Sequence, residues 1–89
     1  MHEPLVSIII PTHTRSDILF GTIKNVLNQS WKNTQIIVID DGTFEKTKEI
    51  VQSLNEDRIL YKKTKENLGC ADARKLGVEY SNGEFITFR

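Results

Sequence analysis

The sequence predicts an α/β domain with a parallel sheet, and three observations carry that prediction. Short apolar runs rich in β-branched residues recur along the chain. Between them, apolar residues recur at helical spacing. The two patterns alternate as βαβαβαβ, and a helix between two strands is the crossover that parallel pairing needs.

The elements follow in order. Leu5 to Ile10 is apolar apart from Ser7 and stops at Pro11, which reads as a first buried strand. Thr14, Ser16 and Asp17 then offer N-cap oxygens. Leu19, Ile23, Val26 and Leu27 fall on one face of a first helix that ends near Asn28-Gln29. Gln35 to Ile39 is the second strand. Thr43 can cap a second helix, whose inward stripe is Thr47, Ile50, Val51 and Leu54 and which breaks at Asn55-Glu56-Asp57. Ile59 to Tyr61 is a short third strand, and Lys63 to Gly69 a polar loop. Ala73, Leu76, Gly77 and Tyr80 form a third helical stripe, stopped by Ser81-Asn82-Gly83, and Phe85 to Phe88 is a fourth strand. Right-handed crossovers leave few topologies for this order. The best of them is a doubly wound half of the Rossmann kind, with about four parallel strands and helices on both faces.

Composition narrows the function classes. The 89 residues suit one small domain, residues 1–89, and not two. A chain of this size buries only about 60–65% of the surface its unfolded form exposes, so its stability margin is thin. With 38% apolar and 27% charged residues the chain reads as globular rather than disordered. Its formal net charge is zero, which argues against non-specific binding of nucleic acid or an anionic membrane. Lys62-Lys63-Thr64-Lys65 is a local basic stretch and reads as a solvated loop. One cysteine, Cys70, makes no disulfide framework, and a cytoplasmic setting is the default. No apolar run approaches the roughly 20 residues that span a bilayer, and Met1-His2-Glu3-Pro4 lacks a signal pattern.

The segment with the most chemistry in it is Ile36-Ile37-Val38-Ile39-Asp40-Asp41-Gly42. Two carboxylates at the end of a buried strand repel each other and resist burial unless they open into a polar cleft. In open α/β sheets that cleft lies at the carboxyl edge of the strands. Pro11, Thr12 and His13 leave the first strand at the same edge, the loop Asn67-Leu68-Gly69 opens there, and Arg74 follows about one turn into the third helix. The set suits a nucleotide: a carboxylate accepts from a base or ribose, glycine lets backbone approach, and arginine meets phosphate. Neither G-x-G-x-x-G nor G-x-x-x-x-G-K-[ST] is present.

Bland readings stand beside these. Asp40 and Asp41 can simply cap the turn into the second helix. Arg74 can pair with Asp72 or Glu79 on the helix surface. His13 reads as a loop residue, since no Cys/His cluster accompanies it. Cys70 reads as a small residue at a helix start, and Trp31 as packing on a helix-to-strand turn.

The order of motifs also resembles the N-terminal part of family 2 glycosyltransferases of the GT-A fold. The matching pieces are Pro4-Leu5-Val6-Ser7-Ile8-Ile9-Ile10-Pro11-Thr12, Val26-Leu27-Asn28-Gln29-Ser30-Trp31-Lys32-Asn33 and Ile36 to Gly42. They continue through Glu66-Asn67-Leu68-Gly69, Ala73-Arg74, Leu76-Gly77 and Gly83-Glu84-Phe85-Ile86. The chain departs from the family at His13-Thr14, where Tyr-Asn is usual, at Thr43-Phe44-Glu45, and at Lys75.

The resemblance implies a nucleotide-diphosphate-sugar donor, commonly a uridine one, and transfer of the sugar to a hydroxyl of a saccharide or lipid-linked acceptor. By it, Pro11 and Thr12 border the nucleotide; His13, Gly42 and Gly69 join them as nucleotide-site candidates from their place at the same sheet edge. Asp41 would contact the uracil, Asp40 would shape the pocket, and Arg74 would lie near the base or diphosphate. A divalent metal, Mg or Mn, is implied for the full enzyme. The Asp-x-Asp motif that holds it should begin near Phe88-Arg89, so neither metal ligands nor a catalytic base are expected in this segment. Membrane association would come through other parts of the parent protein.

Two other readings fit the sequence: a non-catalytic nucleotide-binding or structural α/β module, and a receiver-like phosphoacceptor domain. The second is disfavoured because the paired acids follow the second strand rather than the first. The apolar fourth strand further predicts self-association through an exposed sheet edge.

Overall fold

The computed structural model of the chain describes residues 4–13, 16–29, 31–42, 45–65 and 68–89, with residues 16, 17, 45 and 46 described by backbone alone. The cap candidates Thr14 and Thr43, the loop residue Asn67, and the side chains of Ser16 and Asp17 lie outside the described residues.

Seven elements alternate as the periodicity predicts: β1 (Val6–Thr12), α1 (Ser16–Leu27), β2 (Thr34–Asp40), α2 (Glu45–Leu54), β3 (Ile59–Lys63), α3 (Cys70–Tyr80) and β4 (Phe85–Phe88). All strand pairs are parallel, in the order β3-β2-β1-β4. The chain winds outward from β1 through β2 to β3, then returns through α3 to lay β4 on the other side of β1. Reversing the winding direction while keeping right-handed crossovers sends α3 to the opposite face from α1 and α2.

The core shows that division. On one face Ile8 and Ile10 of β1 and Ile36 and Val38 of β2 pack with Leu19, Ile23 and Val26 of α1 and Val51 of α2. On the other, Ile9, Ile37 and Ile39 pack with Ala73 of α3, flanked by Leu60 and Leu76. The central strands are apolar on both faces because both faces are covered, as parallel sheets require. Burying each such side chain stabilises by roughly 1.5–3 kcal/mol.

Some boundaries move. α1 closes with Asn28 N donating to Lys24 O and Gln29 N to Val26 O, while Lys32 Nζ donates to Leu27 O. Trp31 sits on the following turn, half exposed, its Nε1 donating to Pro4 O at 3.2 Å. β3 runs on to Lys63, so Lys62 and Lys63 are strand residues and not part of a loop. Tyr80, assigned by spacing to the inward stripe of α3, is exposed, with Lys62 Nζ 5.1 Å from its ring centre. There the stripe meets Lys62 and solvent rather than the core.

Ser7, the one polar residue in the first apolar run, is fully buried. Its Oγ donates to Gln35 Oε1 and accepts from Gly83 N, both at 2.9 Å, and Gln35 Oε1 also accepts from Asn82 N. The turn between α3 and β4 is thereby tied to the two central strands.

Candidate functional site at the carboxyl edge of the sheet

The exits of β1 and β2 are joined beyond their last register pair, Thr12 with Asp40, by Asp41 N donating to Thr12 O at 2.7 Å. A cleft of about 350 Å³ opens beside this junction, lined by Pro11, Thr12, His13, Asp41, Gly69, Cys70 and Ala73. It lies at the sheet edge where open α/β folds take ligands.

The two acids part company there. Asp40 is the last residue of β2 and fully buried. Its Oδ2 accepts from the Tyr61 hydroxyl at 2.5 Å, and its Oδ1 from Gly42 N at 3.1 Å. Tyr61 packs against the α1/α2 core, so the Asp40 carboxylate faces that side. Asp41 points the other way, toward the start of α3. Its Oδ1 accepts from Thr64 Oγ1 and Leu68 N, and its Oδ2 from Gly69 N, each at 2.8 Å. Strand alternation separates adjacent side chains in this manner and lessens the repulsion that the sequence suggests.

Asp41 is only 4% exposed. Burial alone pushes its carboxyl up. The hydrogen bonds from Leu68, Thr64 and Gly69, with His13 close by, outweigh that and hold it below its ordinary value. The acid at the cleft is therefore an anion under ordinary conditions.

Glycine is needed at two points around it. A Cβ on Gly42 would run into the His13 carbonyl, so the two strand exits pack backbone to backbone. Gly69 has φ of 88°, a left-handed conformation that delivers its N–H to Asp41 and precedes the first turn of α3.

The structure brings Pro11, Thr12, His13, Asp41 and Gly69 onto one cleft, with Gly42 packed behind His13 and Asp40 beneath the floor. Arg74 is not among the lining residues; its guanidinium carbon lies 5.8 Å from the Phe88 ring centre. Cys70 and Ala73 line the cleft and were not among the sequence candidates. Thr64 was read as part of a solvated basic loop, yet it is 5% exposed and bonded to both acids. Its only sequence signal is a hydroxyl placed where β3 ends, level with the strand exits.

Among the described residues no group of His, Cys, Asp and Glu is arranged to hold a metal ion. Asp40 and Asp41 are each held by hydrogen bonds, from Tyr61 and Gly42 and from Thr64, Leu68 and Gly69 respectively. The described residues do not fit a metal site. Nor is any helix among them long and apolar enough to cross a membrane.

Comparison with known proteins agrees with this architecture. The family model described as glycosyl transferase family 2 matches residues 7–88. An uncharacterized glycosyltransferase of Haemophilus influenzae is 39% identical over 99% of this chain and 36% of its own length. A UDP-Glc:alpha-D-GlcNAc-diphosphoundecaprenol beta-1,3-glucosyltransferase of Escherichia coli is 33% identical over 94% of this chain and 34% of its own length. The chain thus spans about a third of the length of these relatives. In three dimensions it is similar to a mannosyltransferase from Pyrobaculum calidifontis in complex with GDP-Man and Mn2+. The TM-score is 0.83 at 18% identity, over 97% of this chain and 27% of that one. That likeness is one of fold, the GT-A arrangement of a parallel sheet between helices. With the family model matched over nearly all of its length, the chain belongs to glycosyl transferase family 2.

Proposed function

We propose that residues 1–89 form the donor-binding part of a glycosyltransferase that takes its sugar from a uridine-diphosphate donor and passes it to an acceptor hydroxyl. The observation that supports this best is the buried, ionised Asp41 at the edge of a cleft bordered by Pro11, Thr12, His13 and Gly69. An anion in that position accepts a hydrogen bond from a base N–H, and the strand-exit backbone walls the base on either side. The Escherichia coli relative is named for a UDP-linked sugar, which favours uridine, and for a lipid-diphosphate-linked acceptor, which favours an acceptor of that class. Cytoplasmic placement goes with such a donor.

In this reading the residues of this chain bind and orient. Asp41 fixes the base, Gly42 keeps the two strand exits close, and Gly69 turns the chain so that α3 begins beside the ligand. Arg74, next to the cleft-lining Ala73, reaches the diphosphate by swinging off the Phe88 ring. A divalent ion would supply charge stabilisation at the leaving diphosphate when bound; among the described residues no group of three or more His, Cys, Asp and Glu is arranged to hold it.

Titration of the chain with UDP, followed by backbone amide chemical shifts, tests this. Shifts should move at Thr12, His13, Gly69 and Cys70 and should collapse in Asp41→Asn. Identical perturbations in both proteins would overturn the assignment of Asp41.

A further inference from the structure

The bonds around Asp41 say more than that a carboxylate is present. A carboxylate offers about four acceptor positions, two on each oxygen. Oδ1 has both taken, by Thr64 Oγ1 and Leu68 N. Oδ2 has one taken, by Gly69 N. Among the described residues the remaining position is on Oδ2, the oxygen whose donor, Gly69, also lines the cleft. Gly69 and Asp41 line the cleft, whereas Thr64 and Leu68 line a separate cavity with Lys63, Lys65, Leu76 and Tyr80.

Thr64 is the side chain that holds the carboxylate so that this position, and not both oxygens, is presented to the cleft. Leu68 and Gly69 donate from the backbone. The Thr64 hydroxyl is a side-chain donor, 5% exposed, and its residue is pinned by Thr64 N donating to Asp40 O at 3.0 Å. Thr64 therefore fixes the plane of the Asp41 carboxylate and fills an acceptor position that would otherwise be open.

We infer that Thr64 is a positioning residue that sets base selectivity: it leaves Asp41 one acceptor position, which suits a base edge with a single ring N–H and rejects an edge with two adjacent donors. Uracil presents one N–H between two carbonyls. Guanine presents N1–H and an amino group side by side, and a carboxylate with both oxygens open serves it best. The inference rests on the donor-binding reading above and adds a residue that reading does not use.

The test is calorimetric titration of the whole chain with UDP and with GDP, for the wild type, Thr64→Val and Thr64→Ser. Valine keeps the shape and removes the hydroxyl; serine restores it. Wild type should prefer UDP. Thr64→Val should weaken UDP about tenfold, because the Asp41 carboxylate is no longer held in one orientation, and the UDP-to-GDP preference should shrink with it. Thr64→Ser should recover most of both. The Asp41 carboxyl, followed by NMR, should also titrate higher in Thr64→Val than in wild type. A wild type that binds neither nucleotide overturns the donor reading and this inference together. Binding of UDP with an unchanged preference in Thr64→Val overturns this inference alone, as does failure of serine to rescue. An unmoved Asp41 titration in a folded Thr64→Val protein removes its physical basis.

Discussion

Asp40 and Asp41 are adjacent in the chain, and their carboxylates serve opposite faces of the sheet. Asp40 accepts from Tyr61 on the side of α1 and α2, while Asp41 accepts from Leu68 and Gly69 at the start of α3. One acid closes the core and the other organises the cleft. Their substitutions should therefore separate cleanly into effects on stability and effects on binding.

Tyr61→Phe tests the first role. It leaves the buried Asp40 Oδ2 without the phenol, and Asp40 is fully buried. The expected loss is about 1–3 kcal/mol in urea unfolding, since a buried hydrogen bond to a charged acceptor is removed. UDP titration should be little changed. A loss of binding without a loss of stability would show that Asp40 faces the ligand instead.

Acid should act through Asp41. Its folded carboxyl lies below the ordinary value of 3.8. The unfolded chain thus takes up a proton before the folded one does. The stabilisation is fully present above that value and is lost as pH falls through the lower folded value. Urea unfolding between about pH 2 and pH 6 should show this loss in wild type. In Asp41→Asn the same stretch should be flatter, from a lower starting stability at neutral pH. Parallel pH profiles for the two proteins would contradict the depressed value.

The two glycines at the cleft should fail differently. Alanine at Gly42 meets the backbone carbonyl of His13, which cannot move without separating β1 from β2. Gly42→Ala should cost about 2–3 kcal/mol, in the range of serious single-site damage. Gly69 has open space around its Cβ position and only its φ of 88° to lose. Gly69→Ala should cost about 1–2 kcal/mol, the left-handed penalty alone. Equal costs would mean that the strand exits yield more than their packing suggests.

The edge strand β4 carries Phe85, Ile86 and Phe88 at 60, 41 and 45% exposure, and its only strand partner among the described residues is β1. Exposed apolar edges recruit other chains. Sedimentation over a dilution series should show concentration-dependent association, and Ile86→Lys should suppress it. A wild type that stays strictly monomeric throughout would remove β4 as an association site.

The fold was legible because its signals are long and redundant. Ile8-Ile9-Ile10 and Ile36 to Ile39 are apolar on every residue, as strands covered on both faces must be. The helix stripes were legible where the helix lies over the sheet and failed at Tyr80, where it does not. In the site, Pro11, Thr12, His13, Asp41 and Gly69 were placed together because strand exits of a parallel sheet share one edge. Thr64 was hidden among lysines, whose charge dominates any local reading, and its partner Asp41 lies 23 residues away. Ser7 and Gln35 were recoverable in principle: both are polar interruptions of β-rich runs, and they are register partners.

The position of β1 has a consequence for how the chain folds. One of its neighbours, β2, is close in sequence, but the other, β4, closes a contact such as Ser7 with Gly83, separated by 76 residues. Such long-range closures slow folding, because loop entropy is lost before the contact forms. At synthesis rates of about 5–20 residues per second, β1 and β2 exist for seconds before β4 does. In that interval the open edge belongs to Ile8-Ile9-Ile10, a more aggregation-prone template than the strand that finally covers it.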